Sequence, residues 1–305
     1  MSSCGDKSWQ QVTVRIDGDR ARAMEALLDE LGAVSVTLRD AGDEPVFQLD
    51  RDSTPLWREV VATGLFSGAT DTGPLIKRIR AVLQLSAPDA VLVEPLEDRD
   101  WERVWMEDFH PVRFGQRLWV CPSWSEPPDP SAVNLVLDPG LAFGSGTHPT
   151  TAMCLEWLEA RSQEEALNGQ YVIDYGCGSG ILAIAALKLG ASRALGVDND
   201  PQAVTATGNN RAANGIAAER LTVALPGEHD TTPADIVIAN ILSGPLQELM
   251  PTLAALVRPG GRLVLSGVLS GQTTPLLERY AVHFDMEPPQ RQDEWICVAG
   301  RRRAD

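Results

Sequence analysis

A chain of 305 residues with 44% hydrophobic side chains has material for two domains, each with an ordinary core. It holds no apolar run of about 18 residues, so no membrane-spanning helix is expected. The formal net charge of −16 is spread over both halves; it repels phosphate backbones, which argues against direct nucleic-acid binding and favours a basic protein as partner, although acidity also serves solubility. The five cysteines (Cys4, Cys121, Cys154, Cys177 and Cys297) are scattered without a C-x-x-C pair and read as reduced, packed thiols. Four isolated histidines offer no ligand spacing, so no metal site is expected. Met1 to Lys7 contain no apolar core of the kind that directs secretion, and the expectation is a cytoplasmic monomer.

In chain order, residues 11–16 alternate apolar and polar as a half-buried strand does. Asp19 is placed to cap a helix from Arg20 to Leu31, whose Met24, Leu27, Leu28 and Leu31 share one face before Gly32 ends it. Residues 33–38 alternate again, residues 45–49 and 60–66 are weaker strand candidates, Thr72-Gly73-Pro74 opens a second helix, and residues 90–95 form a further strand. This strand–helix–strand, strand–helix–strand order predicts a small α+β ferredoxin-like domain over residues 1–97. Such a fold carries no function by itself.

Residues 98–130 read as an aromatic-rich linker. Trp101, Trp105 and Phe109 recur every four residues, which predicts an aromatic helix that packs on a neighbouring domain or binds substrate. Residues 117–122 look like a strand, and Pro127-Pro128-Asp129-Pro130 stiffens the approach to the next domain. The stretch from Asp138 to Thr151 holds three glycines and precedes a helix running through Met153, Leu155 and Leu158; a loop of this kind can close over a ligand and exclude water. His148 within it is either a catalytic base or a turn and capping group.

The most informative stretch is Val172-Ile173-Asp174-Tyr175-Gly176-Cys177-Gly178-Ser179-Gly180, followed by an apolar helix from Ile181 to Leu189. An apolar strand ends in an acid, and glycine at every second position removes Cβ atoms where a ligand must lie against the backbone. The next helix points its amino-terminal N–H groups and positive dipole end at that ligand. A dinucleotide fingerprint is met only by counting from Gly178 and Gly180 to Ala183, so spacing alone leaves the nucleotide class open. A second short strand ends at Asp198, 22 residues past Gly176, where a carboxylate can accept both hydroxyls of a ribose. Beyond it come a helix over residues 201–214, a strand over 220–224, and a buried strand over 235–240 that delivers Asn240 to the same sheet edge. A helix bent at Pro251 then runs to Val257. A turn at Pro259-Gly260-Gly261, a strand over 262–266, a helix from Thr273 and closing strands over 282–286 and 295–299 complete the chain.

The motif Asp-x-Gly-x-Gly-x-Gly over residues 174–180 resembles the first motif of class I S-adenosylmethionine-dependent methyltransferases. The loop Gly-Leu-Ala-Phe-Gly-Ser-Gly-Thr-His-Pro-Thr-Thr over residues 140–151 narrows the likeness. With Trp101 to Pro111, the strand leading to Trp124, Asp198, Asn240-Ile241-Leu242 and the Trp295 strand, the chain resembles the bacterial ribosomal protein L-eleven methyltransferases over nearly its whole length. The resemblance implies a Rossmann-like α/β domain with a mostly parallel seven-stranded sheet over residues 131–305. It implies S-adenosyl-L-methionine as cofactor, held by Thr151, Gly176, Asp198 and Asn240 together with the motif residues Asp174, Gly178 and Gly180. It further implies transfer of methyl groups to lysine side chains and the α-amine of a large-subunit ribosomal protein recruited by the amino-terminal domain. Asn240 is expected to orient the acceptor amine, and no dedicated general base is evident. A class I methyltransferase acting on RNA or a small molecule would keep the same cofactor motifs, although the acidic amino-terminal domain argues against RNA. A catalytically silent binding module would lose the glycine motif, which is intact.

Overall fold

The structure, a computed structural model, describes residues 8–42, 57–84, 91–96, 109–138, 146–164, 167–228 and 232–304. The chain divides into two compact units, residues 1–106 and 107–305. No helix among the described residues is long and apolar enough to cross a membrane.

The first unit contains β1 (Trp9–Asp17), α1 (Ala21–Glu30), β2 (Ser35–Asp40), β3 (Glu59–Ser67), α2 (Thr72–Leu83) and β4 (Val91–Leu96). Its strands lie in the order β2-β3-β1-β4 with every neighbouring pair antiparallel, the split βαβ arrangement expected of a ferredoxin-like domain. Val12, Val14 and Ile16 alternate inward on β1 and pack with Met24 and Leu28 of α1 and Ile79 and Leu83 of α2. Two local details differ from expectation. Asp19 lies inside a short 3-10 turn (Gly18–Arg20) and does not cap α1, because that turn already supplies the first helical carbonyls. Asp71 caps α2, accepting from Gly73 N at 3.0 Å. The strand expected over residues 45–49 lies outside the described residues, as do Cys4, Trp101 and Trp105 of the aromatic segment.

The second unit opens with β5 (Val112–Phe114), β6 (Leu118–Cys121) and β7 (Val133–Val136), a three-stranded sheet. Residues expected in the linker thus form strands here, and Phe114, Leu118 and Val120 are buried in this unit's core because their alternation gives one fully apolar face. Then follow α3 (Pro149–Gln163), β8 (Tyr171–Tyr175), α4 (Ile181–Lys188), β9 (Arg193–Val197), α5 (Pro201–Ala213), β10 (Leu221–Ala224) and β11 (Ala234–Asn240). The chain closes with α6 (Ser243–Glu248), α7 (Met250–Leu256), β12 (Val257–Leu269), α8 (Thr273–Tyr280), β13 (Phe284–Met286), β14 (Gln290–Gln292) and β15 (Trp295–Arg302).

The large sheet runs β10-β9-β8-β11-β12-β15-β13, with β14 as an eighth strand on β15. The five strands from β10 to β12 are parallel, and β15 runs antiparallel to β12, β13 and β14. Side chains of β8 alternate between two cores, Val172 on one face and Ile173 and Tyr175 on the other, so both faces are covered. Every residue of α4 from Ile181 to Leu187 is buried, as its unbroken apolar sequence requires. The expected bend at Pro251 is instead a break at Leu249 between α6 and α7, which leaves Pro251 in a first turn where its missing N–H costs nothing. Pro259-Gly260-Gly261, expected as a turn before a strand, sits inside β12 as a wide irregularity: Ala234 pairs with Val257, and Ile236 already pairs with Arg262.

Candidate active site

Chain order reverses between β8 and β11, which are neighbours in space with β9 and β10 on the far side of β8. Open α/β sheets bind ligands at such a switch point, outside the carboxyl ends of the strands. The glycine turn stands there. Gly176, Gly178 and Gly180 all take positive φ (79°, 53° and 78°), a conformation L side chains rarely adopt. Gly176 N and Cys177 N donate to Val197 O at 2.7 and 3.1 Å, and Gly180 N donates to Cys177 O at 2.7 Å, so the turn is tied to β9 and to itself. A Cβ on Gly176 would stand 2.2 Å from Cγ2 of Ile241, and one on Gly180 would stand 2.5 Å from Cγ2 of Thr207. Nothing larger than glycine fits at either place.

In front of the turn lies a cavity of about 680 Å³, within the range of small-molecule sites. Its wall brings together Thr151 of α3, Gly176 and Gly178 of the turn, Asp198 beyond β9 and Asn240 at the end of β11. Asp174 and Gly180 do not line it. Asp174 is 1% exposed beneath the turn, and Gly180 caps α4 against α5. The rest of the wall is mainly apolar, with Tyr175, Ile181, Ile241, Leu242 and Trp295 among its members.

The polar groups are held from behind. Asp198 accepts from Gly178 N at 2.8 Å and from Asp200 N at 3.0 Å, which uses one lone pair on each oxygen and leaves the others for a ligand. Asn240 donates from Nδ2 to Thr151 Oγ1 at 3.1 Å, which fixes the amide so that its Oδ1 is the group left over. That Oδ1 is buried with no partner among the described residues, and so is Oδ1 of Asp174. The other Asp174 oxygen accepts from Ala183 N at 3.1 Å in the first turn of α4. Burial, aided by the nearby charge of Asp198, pushes the Asp174 carboxyl up to about 7 against that hydrogen bond. His148 caps α3, its Nδ1 accepting from Thr150 N at 3.3 Å and lying 2.7 Å from Thr150 Oγ1. Its ring meets Trp295 edge-on at 4.9 Å, and burial lowers its pKa. The structure thus gives His148 the capping alternative at Nδ1.

Sequence reasoning did not single out Trp295, Ile241 or Gly267 as site residues. Trp295 reaches the pocket from the far end of the sheet, and nothing in its local pattern says so. Gly267 carried a usable cue, a glycine inside a strand. It has φ 84°, lies in the register shift between Leu265 and Val268, and a Cβ there would stand 2.3 Å from Ile241 O. Residues 139–145 of the glycine-rich loop lie outside the described residues. No group of metal-ligating side chains occurs among the described residues, and the four cysteines there are buried and free.

The chain matches the family model described as ribosomal protein L11 methyltransferase (PrmA) over residues 8–303. The chain belongs to the ribosomal protein L11 methyltransferase family. A relative of that name from Pseudomonas paraeruginosa is 50% identical over 297 residues, covering 97% of this chain and 99% of its own. One from Marinobacter nauticus is 48% identical over 298 residues with the same coverage. The crystal structure of a ribosomal protein L11 methylase from Lactobacillus delbrueckii subsp. bulgaricus superposes with a TM-score of 0.55 at 31% identity, covering 64% of this chain and 99% of that one.

As a member of the family the chain is a class I methyltransferase, and its cofactor is S-adenosyl-L-methionine. The site fits that molecule on its own evidence. The turn is bare of Cβ atoms, the Asp198 carboxylate keeps lone pairs for a ligand, and one buried acceptor oxygen, Oδ1 of Asn240, lacks a partner in a wall with no arginine or lysine among the described residues. Such a wall suits a positively charged ligand with hydrogen-bond donors and disfavours an anionic one.

Proposed function

We propose that this enzyme methylates amines, lysine side chains and the amino-terminal α-amine, of ribosomal protein L11. The extent of the likeness carries this reading: the family match runs through the amino-terminal unit as well as the methyltransferase unit, so the substrate-selecting part is shared along with the cofactor site. The amino-terminal ferredoxin-like unit recruits the ribosomal protein, and the acidic chain of −16 suits a basic partner. The enzyme acts in the cytoplasm as a monomer, without gripping nucleic acid through this acidic surface.

In the pocket, S-adenosyl-L-methionine supplies a methyl group on a positively charged sulfur. Gly176 and Gly178 let it lie against the backbone, and Asp198 accepts from its ribose hydroxyls. Thr151 and Asn240 close the opposite wall, while Asp174 offers negative charge from beneath and Gly180 shapes the turn. The acceptor nitrogen must be neutral. For a lysine side chain, which ordinarily titrates near about 10.4, that costs roughly 4–5 kcal/mol at pH 7, and for an α-amine near 8 about 1 kcal/mol. The unpartnered Oδ1 of Asn240 is the acceptor placed to hold an N–H of that amine, which aligns it without taking its proton. With Nδ1 of His148 committed to Thr150, proton removal falls to water and to desolvation in the apolar wall.

Incubation with labelled S-adenosylmethionine and separated large-subunit components tests the reading. Label on ribosomal protein L11 is expected, at lysines and at the amino terminus. Label on ribosomal RNA or on another protein alone would overturn the substrate assignment.

A further inference from the structure

At the opposite edge of the large sheet, where β8, β11 and β12 begin, lies a second concavity of about 380 Å³. Four arginines enter it from three elements: Arg161 in the last turn of α3, Arg258 and Arg262 of β12, and Arg301 of β15. Asp235 is the one carboxylate among the described residues of its wall. Arg262 and Arg301 are direct cross-strand partners, an arrangement of like charges that is destabilising unless something of opposite charge lies between them. The floor is the irregularity in β12. A Cβ on Gly260, which has φ 74°, would stand 3.8 Å from Nη2 of Arg301 and 4.0 Å from Nη1 of Arg258, so two guanidinium groups flank one bare glycine. A Cβ on Gly261 would stand 2.9 Å from both Asp235 O and Arg258 O.

The carboxylates nearby are already engaged. Asp235 pairs with Arg258 and also accepts from Tyr171 N at 2.8 Å. Glu287 pairs with Arg262, and Glu164 with Nη1 of Arg161 at 2.8 Å. Asp285, opposite Arg301 on β13, pairs with Arg303 at 2.8 Å. Arg301 donates from Nε to Gly260 O at 3.3 Å and has no carboxylate partner among the described residues. The Nε of Arg161 is buried with no acceptor among the described residues. Arg301, a guanidinium without a carboxylate partner among the described residues, beside three further arginines in the wall of one small hollow, calls for an acceptor-only anion.

We propose that this hollow binds a phosphate group. A phosphate presents several acceptor oxygens to the forked donors of arginine, and the hollow is of a size for one such group rather than for a duplex. The overall charge of −16 does not prevent this, because at about 0.15 M ionic strength screening leaves charges within roughly 8 Å to dominate. The same chemistry is offered by a free or terminal phosphate and by an RNA backbone, and the geometry favours the terminal form.

Isothermal titration of the full chain with inorganic phosphate, at ionic strength held constant with chloride, tests the proposal. Saturable binding is expected, weakened at least about tenfold by Arg301→Gln, the loss of one charge-assisted hydrogen-bonding group. Arg161→Gln should weaken it as well and serves should Arg301→Gln fail to fold; unchanged S-adenosylmethionine affinity reports that either variant is folded. A nucleoside monophosphate and an RNA oligonucleotide lacking terminal phosphates form the other two arms. Preference for the monophosphate assigns a terminal phosphate, and equal binding of the oligonucleotide assigns a backbone. Absence of saturable phosphate binding, or equal affinity in the folded variants, would overturn the proposal.

Discussion

The two edges of the large sheet share the same strands and differ in what those strands end on. At the carboxyl edge the wall is mainly apolar, contains Asp198 with Asp174 beneath it, and has no arginine or lysine among the described residues. At the amino edge four arginines line one hollow; three of them pair with Asp235, Glu287 and Glu164, and Arg301 has no carboxylate partner among the described residues. A chain with a net charge of −16 therefore presents one hollow suited to a cation and another suited to an anion. Placement of charge relative to the strand ends, rather than its total, decides what each edge can hold.

The contrast is broken most severely at the glycine turn. Gly176→Val would force a branched side chain into a positive-φ position against Ile241, at a cost of about 3–5 kcal/mol in strain and overpacking. Cofactor binding should fall below detection in calorimetry, while phosphate binding in any folded fraction persists.

Asp174 sharpens the contrast through pH. Its folded pKa of about 7 lies above the unfolded value of 3.8, so the folded state favours the protonated form. Stability from this group is complete below pH 3.8, declines as pH rises and is lost above about 7, with an upper bound of roughly 4 kcal/mol. Asp174→Asn retains an acceptor for Ala183 N and removes this dependence. Thermal unfolding should show the variant gaining on wild type between pH 5 and 8, and a parallel loss in both proteins would refute the assignment. Because a cationic ligand favours the ionised carboxylate, S-adenosylmethionine binding near pH 6.5 should release a fraction of a proton in wild type and less in Asp174→Asn, as read from titrations in buffers of different ionisation enthalpy.

Asn240→Asp tests the acceptor side of the same pocket. The substitution replaces the donor to Thr151 with a second negative oxygen and favours the protonated amine, the form that cannot attack. Single-turnover rates at saturating cofactor should drop by about tenfold or more and recover in part as pH rises toward the amine pKa. A loss independent of pH and matched by a loss of stability would reduce Asn240 to a support for Thr151.

Much of the cofactor edge was legible because its cues are local. Alternating glycines after an acid-ended strand, Asp198 at the end of the next strand, and an apolar run ending on Asn240 each describe one strand–turn unit, and the parallel order then brings them together. Thr151 was accessible only through the likeness of its loop. Trp295 and Gly267 escaped because their positions depend on the antiparallel insertion of β15 and on a register shift within β12, both set by pairings distant in sequence. The arginine hollow was equally hidden: residues 161, 258, 262 and 301 meet through topology, and Pro259-Gly260-Gly261 reads as an ordinary turn until its pairing with β11 is known. Asp174 was placed in the cofactor wall by its motif, yet burial puts it one layer behind.

The central claim is that the carboxyl-edge pocket holds S-adenosylmethionine with Asp198 reading its ribose. Titration of S-adenosylmethionine into wild type and Asp198→Ala, with circular dichroism to establish folding, addresses it directly. Loss of charge-assisted hydrogen bonds worth about 1.5–3 kcal/mol each predicts an affinity at least about tenfold weaker in the variant. Equal affinity in a folded Asp198→Ala protein would contradict the account.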